Sequence, residues 1–148
     1  MPFIETSVII PDGDKSKIWE MVKAVEGYTL FMEDVESIEV LEENAEENWQ
    51  ISKWVTRLEG RRMEWTEKDV WDDDTMNLTY HQIEGDLSKF EGEWVVVDTE
   101  DGVKVTLTVD FDLGIPMFAS LLNPIAKILV QKNSRAMLAA IKGQATKA

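Results

Sequence analysis

Met117–Ile141, MFASLLNPIAKILVQKNSRAMLAAI, is the stretch that decides the fold. Phe118, Leu121, Leu122, Ile125, Ile128, Leu129, Ala136, Met137, Ala140 and Ile141 recur mostly at intervals of three and four, the spacing that gives a helix one apolar stripe. Pro124 lies inside the run and has no N–H to donate, so a kink, or a short helix joined to a long one, is expected there. Gly143 supplies the stop. A long amphipathic helix must bury its stripe against another layer, and the preceding residues say which.

Upstream, Leu113-Gly114-Ile115-Pro116 breaks a strand, and before it the period is two. Glu36–Glu42, Trp49–Leu58, Arg61–Asp72, Thr75–Glu84, Phe90–Asp98 and Lys104–Asp112 read as strands. Turn-forming residues separate them: the polar run Glu43–Asn48, Gly60, Asp72-Asp73-Asp74, Gly85-Asp86 and Asp101-Gly102. Connections this short make antiparallel neighbours. Ahead of them Phe3–Ile10 is a further strand. Pro11-Asp12-Gly13-Asp14 is a turn in which Asp14 or Ser16 caps a helix, and Ile18, Trp19, Val22 and Val25 keep helical spacing until Gly27. Tyr28–Val35, holding Leu30, Phe31 and Met32, reads as a second short helical turn. The expected fold is α+β: about seven antiparallel strands in a curved sheet, two short helices after the first strand, and the long helix on the concave face. One domain over 1–148 accommodates it. A sheet curled round a helix leaves apolar space beside it, and such space suits apolar ligands.

Composition narrows the function. The 148 residues are 44% hydrophobic with a net charge of −14. Phosphate neutralisation needs a basic surface, so nucleic acid is not an expected partner. There is no cysteine and a single histidine, His81, which removes thiolate chemistry and Cys- or His-rich metal sites; neither metal nor cofactor is expected. No run approaches the roughly 18 apolar residues that span a bilayer, and Met1–Ile10 lacks a signal-peptide pattern; the expected location is the cytoplasm. The charge is uneven. Leu113–Ala148 has no acid and five bases, Lys127, Lys132, Arg135, Lys142 and Lys147, so a basic helix sits on an acidic body.

The order of elements and four segments resemble the START-like helix-grip (SRPBCC) superfamily, in particular its polyketide cyclase/dehydrase and coenzyme-Q-binding-protein branch. The segments are Ile18–Val40 (IWEMVKAVEGYTLFMEDVESIEV), Trp65–Asp69 (WTEKD), Ile83–Trp94 (IEGDLSKFEGEW) and Val109–Met137 (VDFDLGIPMFASLLNPIAKILVQKNSRAM). The resemblance implies a ligand site between sheet and long helix, framed by the two short helices and the loop near Gly114–Pro116. Its ligands in relatives include polyketide chains, isoprenoid quinones and lipids.

Aromatase/cyclase members of that family carry a Trp-x-Ser-x-Arg pattern on a central strand, with serine and arginine facing the ligand. With the tryptophan at Trp65, the serine position holds Glu67 and the arginine position Asp69. A carboxylate can act as the general base that enolises a β-ketone, which makes Glu67 and Asp69 the catalytic candidates, but neither supplies arginine's charge. If both face an apolar interior, burial and mutual repulsion raise at least one pKa. If the strand is shifted or bulged, both face solvent and Thr66, Lys68 and Val70 point inward.

The ligand-contacting candidates are Trp65, Tyr80, Trp94 and Phe111 on strands, Phe118, Leu122, Ile125 and Leu129 on the helix, and Arg57 near Gly60. Indoles can stack on a planar polycycle or quinone. Arg57, Arg61 and Arg62 could grip a carboxylate, a phosphate or a carrier's phosphopantetheine, or pair with nearby acids. His81 could relay protons or be a surface residue. Three functions fit: a polyketide cyclase/aromatase-like protein that binds and cyclises or dehydrates a polyketide; a non-catalytic carrier or chaperone of a quinone or lipid; and a protein-interaction module using the basic helix. An acyl carrier protein is a candidate partner; being acidic, it would dock on the basic helix or the arginine turn.

Overall fold

The structure is a computed structural model that describes residues 3–33, 35–58, 61–85, 87–112 and 116–146, and of these the side chains of 58, 61 and 116–126 are outside the description. Seven strands follow one another antiparallel: β1 (Phe3–Ile10), β2 (Val35–Asn44), β3 (Trp49–Leu58), β4 (Arg61–Asp72), β5 (Asn77–Gly85), β6 (Lys89–Thr99) and β7 (Gly102–Asp112). They form one sheet in the order β1-β7-β6-β5-β4-β3-β2, a meander from β2 to β7 closed by β1 at the far edge. Helix α1 (Lys15–Lys23) and a 3-10 helix (Val25–Leu30) connect β1 to β2, and α2 (Pro116–Ala145) ends the fold. This is the expected α+β helix-grip arrangement.

Alternation sets the two faces. Along β7 Val103, Val105, Leu107, Val109 and Phe111 are all buried, with the residues between them only half-buried. β1 contributes Ile4 and Ile10 to the same face. Burying each aliphatic or aromatic side chain of this size stabilises the fold by about 1.5–3 kcal/mol. Helix α2 packs against β1 and β7, and its buried positions in the described part are Val130, Ser134, Leu138 and Ile141, one face of a 3.6-residue repeat. The stripe is therefore turned from the expected one: Ile128 is 67% exposed, Ala136 is exposed and Leu129 half-buried. Pro124 does not divide the helix, which runs as one element of 30 residues.

Asp14 caps α1, its Oδ1 accepting from the Ser16 and Lys17 amides at 3.0 and 3.3 Å. The second turn comes earlier than expected. Tyr28, wholly buried, donates its hydroxyl to the Val22 carbonyl, folding the chain back straight after α1. Gly27 thus lies inside the 3-10 helix, and Leu30 is left 87% exposed at its end. Among the described residues no helix is long and apolar enough to cross a membrane.

Candidate functional site

The site begins with β4. Trp65, Glu67, Asp69 and Trp71 alternate with Thr66, Lys68 and Val70, and Glu67 and Asp69 are 3% and 0% exposed. Val70 is exposed and Lys68 lies with its ammonium 4.7 Å from the Trp49 ring centre. Both acids therefore face the concave interior. The solvent-facing alternative fails because the irregularity between β4 and β5 adds its extra residue on β5: Thr66 pairs with Glu84 and Glu67 with Gln82, passing over Ile83. A bulge kinks the strand that carries the extra residue, so the alternation of β4 survives.

The neighbouring strands meet these acids with polar side chains. Ser52 stands opposite Glu67, and Gln50 opposite Asp69, on β3. Asp69 Oδ2 accepts from Ser52 Oγ at 2.9 Å and Gln50 Nε2 at 3.2 Å. Ser52 Oγ in turn accepts from Trp54 Nε1 at 2.9 Å, and Glu67 Oε1 accepts from Trp65 Nε1 at 2.7 Å. Asp69 Oδ1 is buried with no donor among ordinary hydrogen-bond partners. Glu67 and Asp69 also act on each other, and two carboxyls that otherwise only accept can be bridged only by a proton.

Which acid holds that proton follows from the surroundings. Burial, then the charge of Asp69, push Glu67 well above the ordinary carboxyl range, against the pull of the Trp65 N–H. Burial raises Asp69 too, and its bonds with Glu67, Ser52 and Gln50 limit that rise without cancelling it. Glu67 is thus the member of the pair that holds a proton more readily, and Asp69 the one that releases it first.

Aromatic rings enclose the pair. Trp54 and Trp65 stack with centres 5.5 Å apart and planes 15° from parallel. Phe90 lies 4.9 Å from Trp65 and 5.6 Å from Tyr80, and Tyr28 lies 5.7 Å from both Trp54 and Trp94. Neither tyrosine has a spare hydroxyl proton. Tyr28 donates to Val22, and Tyr80 Oη donates to the Thr108 carbonyl at 2.7 Å. The Tyr80 phenol must cross β6 at Gly92, where a Cβ would stand 2.0 Å from Thr108 O and 2.7 Å from Tyr80 Oη. Glycine leaves that passage open. Burial, then the nearby carboxyls, raise both phenols well above their ordinary value, so they stay neutral.

Of the residues anticipated from sequence, Glu67, Asp69, Trp65, Tyr80 and Trp94 come together, and Phe111 lies buried on the same face of β7. Phe118, Leu122 and Ile125 lie outside the described side chains. Arg57 does not join the site. On β3 the inward set is Gln50, Ser52, Trp54 and Thr56, so Arg57 turns outward, 57% exposed, with Nε 3.6 Å from Glu36 Oε2. Arg62 pairs with the same Glu36 at 3.5 Å. His81 is exposed on the outer face of β5. Sequence reasoning missed Gln50, Ser52, Trp54, Tyr28 and Phe90; counting cross-strand pairs back from Leu58 and Arg61 finds the first three. Among the described residues no cluster of three or more His, Cys, Asp or Glu side chains could hold a metal.

Residues 13–138 match the family model for polyketide cyclase/dehydrase and lipid transport. Among curated proteins, the actinorhodin polyketide synthase bifunctional cyclase/dehydratase of Streptomyces coelicolor is 31% identical over 98 residues, which are 64% of this chain and 30% of that protein. The chain thus spans under a third of that relative's length. Among solved structures, a protein of Thermus thermophilus is similar at 28% identity and TM-score 0.89, covering 97% of each chain. The Zhui aromatase/cyclase of Streptomyces sp. R1128 shares the fold at 22% identity and TM-score 0.86, over 97% of this chain and 92% of that one. A START superfamily protein of Mycobacterium smegmatis does so at 13% and 0.83, over 98% and 97%.

Proposed function

The chain belongs to the polyketide cyclase/dehydrase and lipid transport family, and from that premise we propose that it binds a carbonyl-bearing hydrophobic molecule of polyketide type on the concave face and cyclises or dehydrates it. The observation that supports this most is the pair of buried carboxyls, Glu67 and Asp69, ringed by Trp54, Trp65 and Phe90. In an aldol cyclisation Asp69 takes the proton from a carbon between two ketones. The enolate carbon bonds to a second carbonyl carbon, and Glu67 delivers its proton to the oxygen that becomes the alcohol. Asp69 then holds a proton and Glu67 is the carboxylate. For dehydration, Glu67 removes the next α-proton and Asp69 protonates the departing hydroxyl, which leaves as water and returns the pair to its starting state. Acid–base help of this kind contributes roughly 10²–10⁴-fold in rate. Incubation with a synthetic poly-β-ketone thioester, with products read by liquid chromatography and mass spectrometry, tests it. Glu67→Gln and Asp69→Asn should each slow ring formation by about 10²-fold or more. Identical product distributions with and without protein would remove the catalytic role.

One observation favours a non-catalytic carrier of a quinone or lipid instead. Where the family's aromatase pattern has an arginine to polarise a ketone, this chain has Asp69, and Arg57 points away. Native mass spectrometry after gentle purification distinguishes the two: a lipophile recovered intact, with no turnover of the thioester, establishes the carrier.

A further inference from the structure

The charge of the concave face bears on what it admits. Asp69 is fully buried, and its two donors, Ser52 and Gln50, are both neutral. Glu67, beside it, brings at best the proton that keeps the pair from carrying two charges. Four cations among the described residues are turned elsewhere. Arg57 and Arg62 reach Glu36, Lys23 reaches Asp73 at 2.6 Å, and Lys68 lies against Trp49. His81, on the far face of β5, acts on Asp69 from across the sheet. The rings of Trp54, Trp65 and Phe90 add apolar surface and no positive charge. A buried negative charge is acceptable to a neutral guest and repels an anionic one strongly where water is scarce.

We infer that the concave face selects uncharged ligands and rejects anions, with Asp69 as the residue that sets this preference. This rests on the reading that a hydrophobic molecule occupies that face. It names the chemical class of that molecule: one that enters without a negative charge. Free fatty acids and phospholipid head groups entering head first are the ligands refused.

Two fluorescent probes with one skeleton test it, N-phenyl-1-naphthylamine, which is neutral, and 8-anilino-1-naphthalenesulfonate, which stays anionic across the working pH range. Each brightens on entering an apolar site, so no turnover is needed. The neutral probe should bind the wild-type protein about 100-fold more tightly, the factor that corresponds to about 2.7 kcal/mol of repulsion. Asp69→Asn keeps an oxygen for Ser52 and Gln50 to donate to, and should close most of that gap by strengthening sulfonate binding. Glu67→Gln leaves Asp69 charged and should keep the gap or widen it. Equal affinities in the wild type, or a gap that closes in Glu67→Gln and persists in Asp69→Asn, overturn the inference while leaving ligand binding intact. Failure of both probes to bind any of the three proteins overturns the ligand-binding reading itself.

Discussion

Replacing Glu67 with glutamine should make the protein more stable at alkaline pH. Glutamine is nearly the shape of protonated glutamate. Its oxygen can accept from Trp65 Nε1, and its amide can donate to Asp69 Oδ1, the buried atom with no other donor. Burial and the adjacent Asp69 hold the Glu67 carboxyl well above its ordinary range, so the native state keeps a proton that the unfolded chain has already released. Fewer protons are then bound in the unfolded state, and stability falls as pH rises. The loss starts at the ordinary glutamate value, continues through the raised native one, and amounts to about 1.4 kcal/mol per pH unit inside that window. Asp69, raised by burial as well, acts in the same direction. Against a total of about 5–15 kcal/mol for a protein domain, a window of even one unit is visible. Urea unfolding followed by tryptophan fluorescence, for both proteins at pH 5, 6, 7 and 8, gives the two profiles. They should lie close together at pH 5 and separate with rising pH, with Glu67→Gln the more stable. Self-repulsion of the −14 surface is nearly common to both and drops out of the difference. Parallel profiles, or a variant less stable than wild type at pH 8, would show that Glu67 is not the protonated member.

Ser52→Ala should cost about 2 kcal/mol, because it leaves the Trp54 indole N–H buried without an acceptor and takes a donor from Asp69. Adding Trp54→Phe should recover part of that loss in a double-mutant cycle by urea unfolding; strictly additive losses would show that the Ser52–Trp54 bond contributes nothing. Gly92→Ala should destabilise by about 2 kcal/mol or more, since the new methyl meets the Thr108 carbonyl at 2.0 Å and severs the Tyr80 bond beneath it. An unchanged urea midpoint would refute the close passage.

The strand order was legible because a period of two persists from Val35 to Asp112, and β1, β3 and β4 fall on the expected bounds. β5 starts later than Thr75 because Met76 takes a left-handed turn conformation, φ 53°, which no apolar pattern announces. Glu67 and Asp69 could be named from the tryptophan-anchored segment, yet alternation alone leaves two faces to choose from. The choice is made by tertiary partners: Ser52 and Gln50 across β3, and the extra residue Ile83 taken up by β5. Proximity to its turn brings Arg57 into the expected set, although the phase of Ser52 and Trp54 already sends it outward. Ile128 and Leu129 fit a helical period as well as Val130 does, and only the packing on β1 and β7 decides between them.

The pairing of β1 with β7 reaches across the whole sheet, Phe3 opposite Asp110 and Ile10 opposite Val103. During synthesis at roughly 5–20 residues per second, β1 therefore waits several seconds for the strand that completes it. Until then a β-branched segment, Phe3–Ile10, hangs beside the ribosome with its hydrogen-bonding groups unclaimed. Contacts so remote in sequence slow folding, and this seam is where a chaperone or a second nascent chain would find the molecule first.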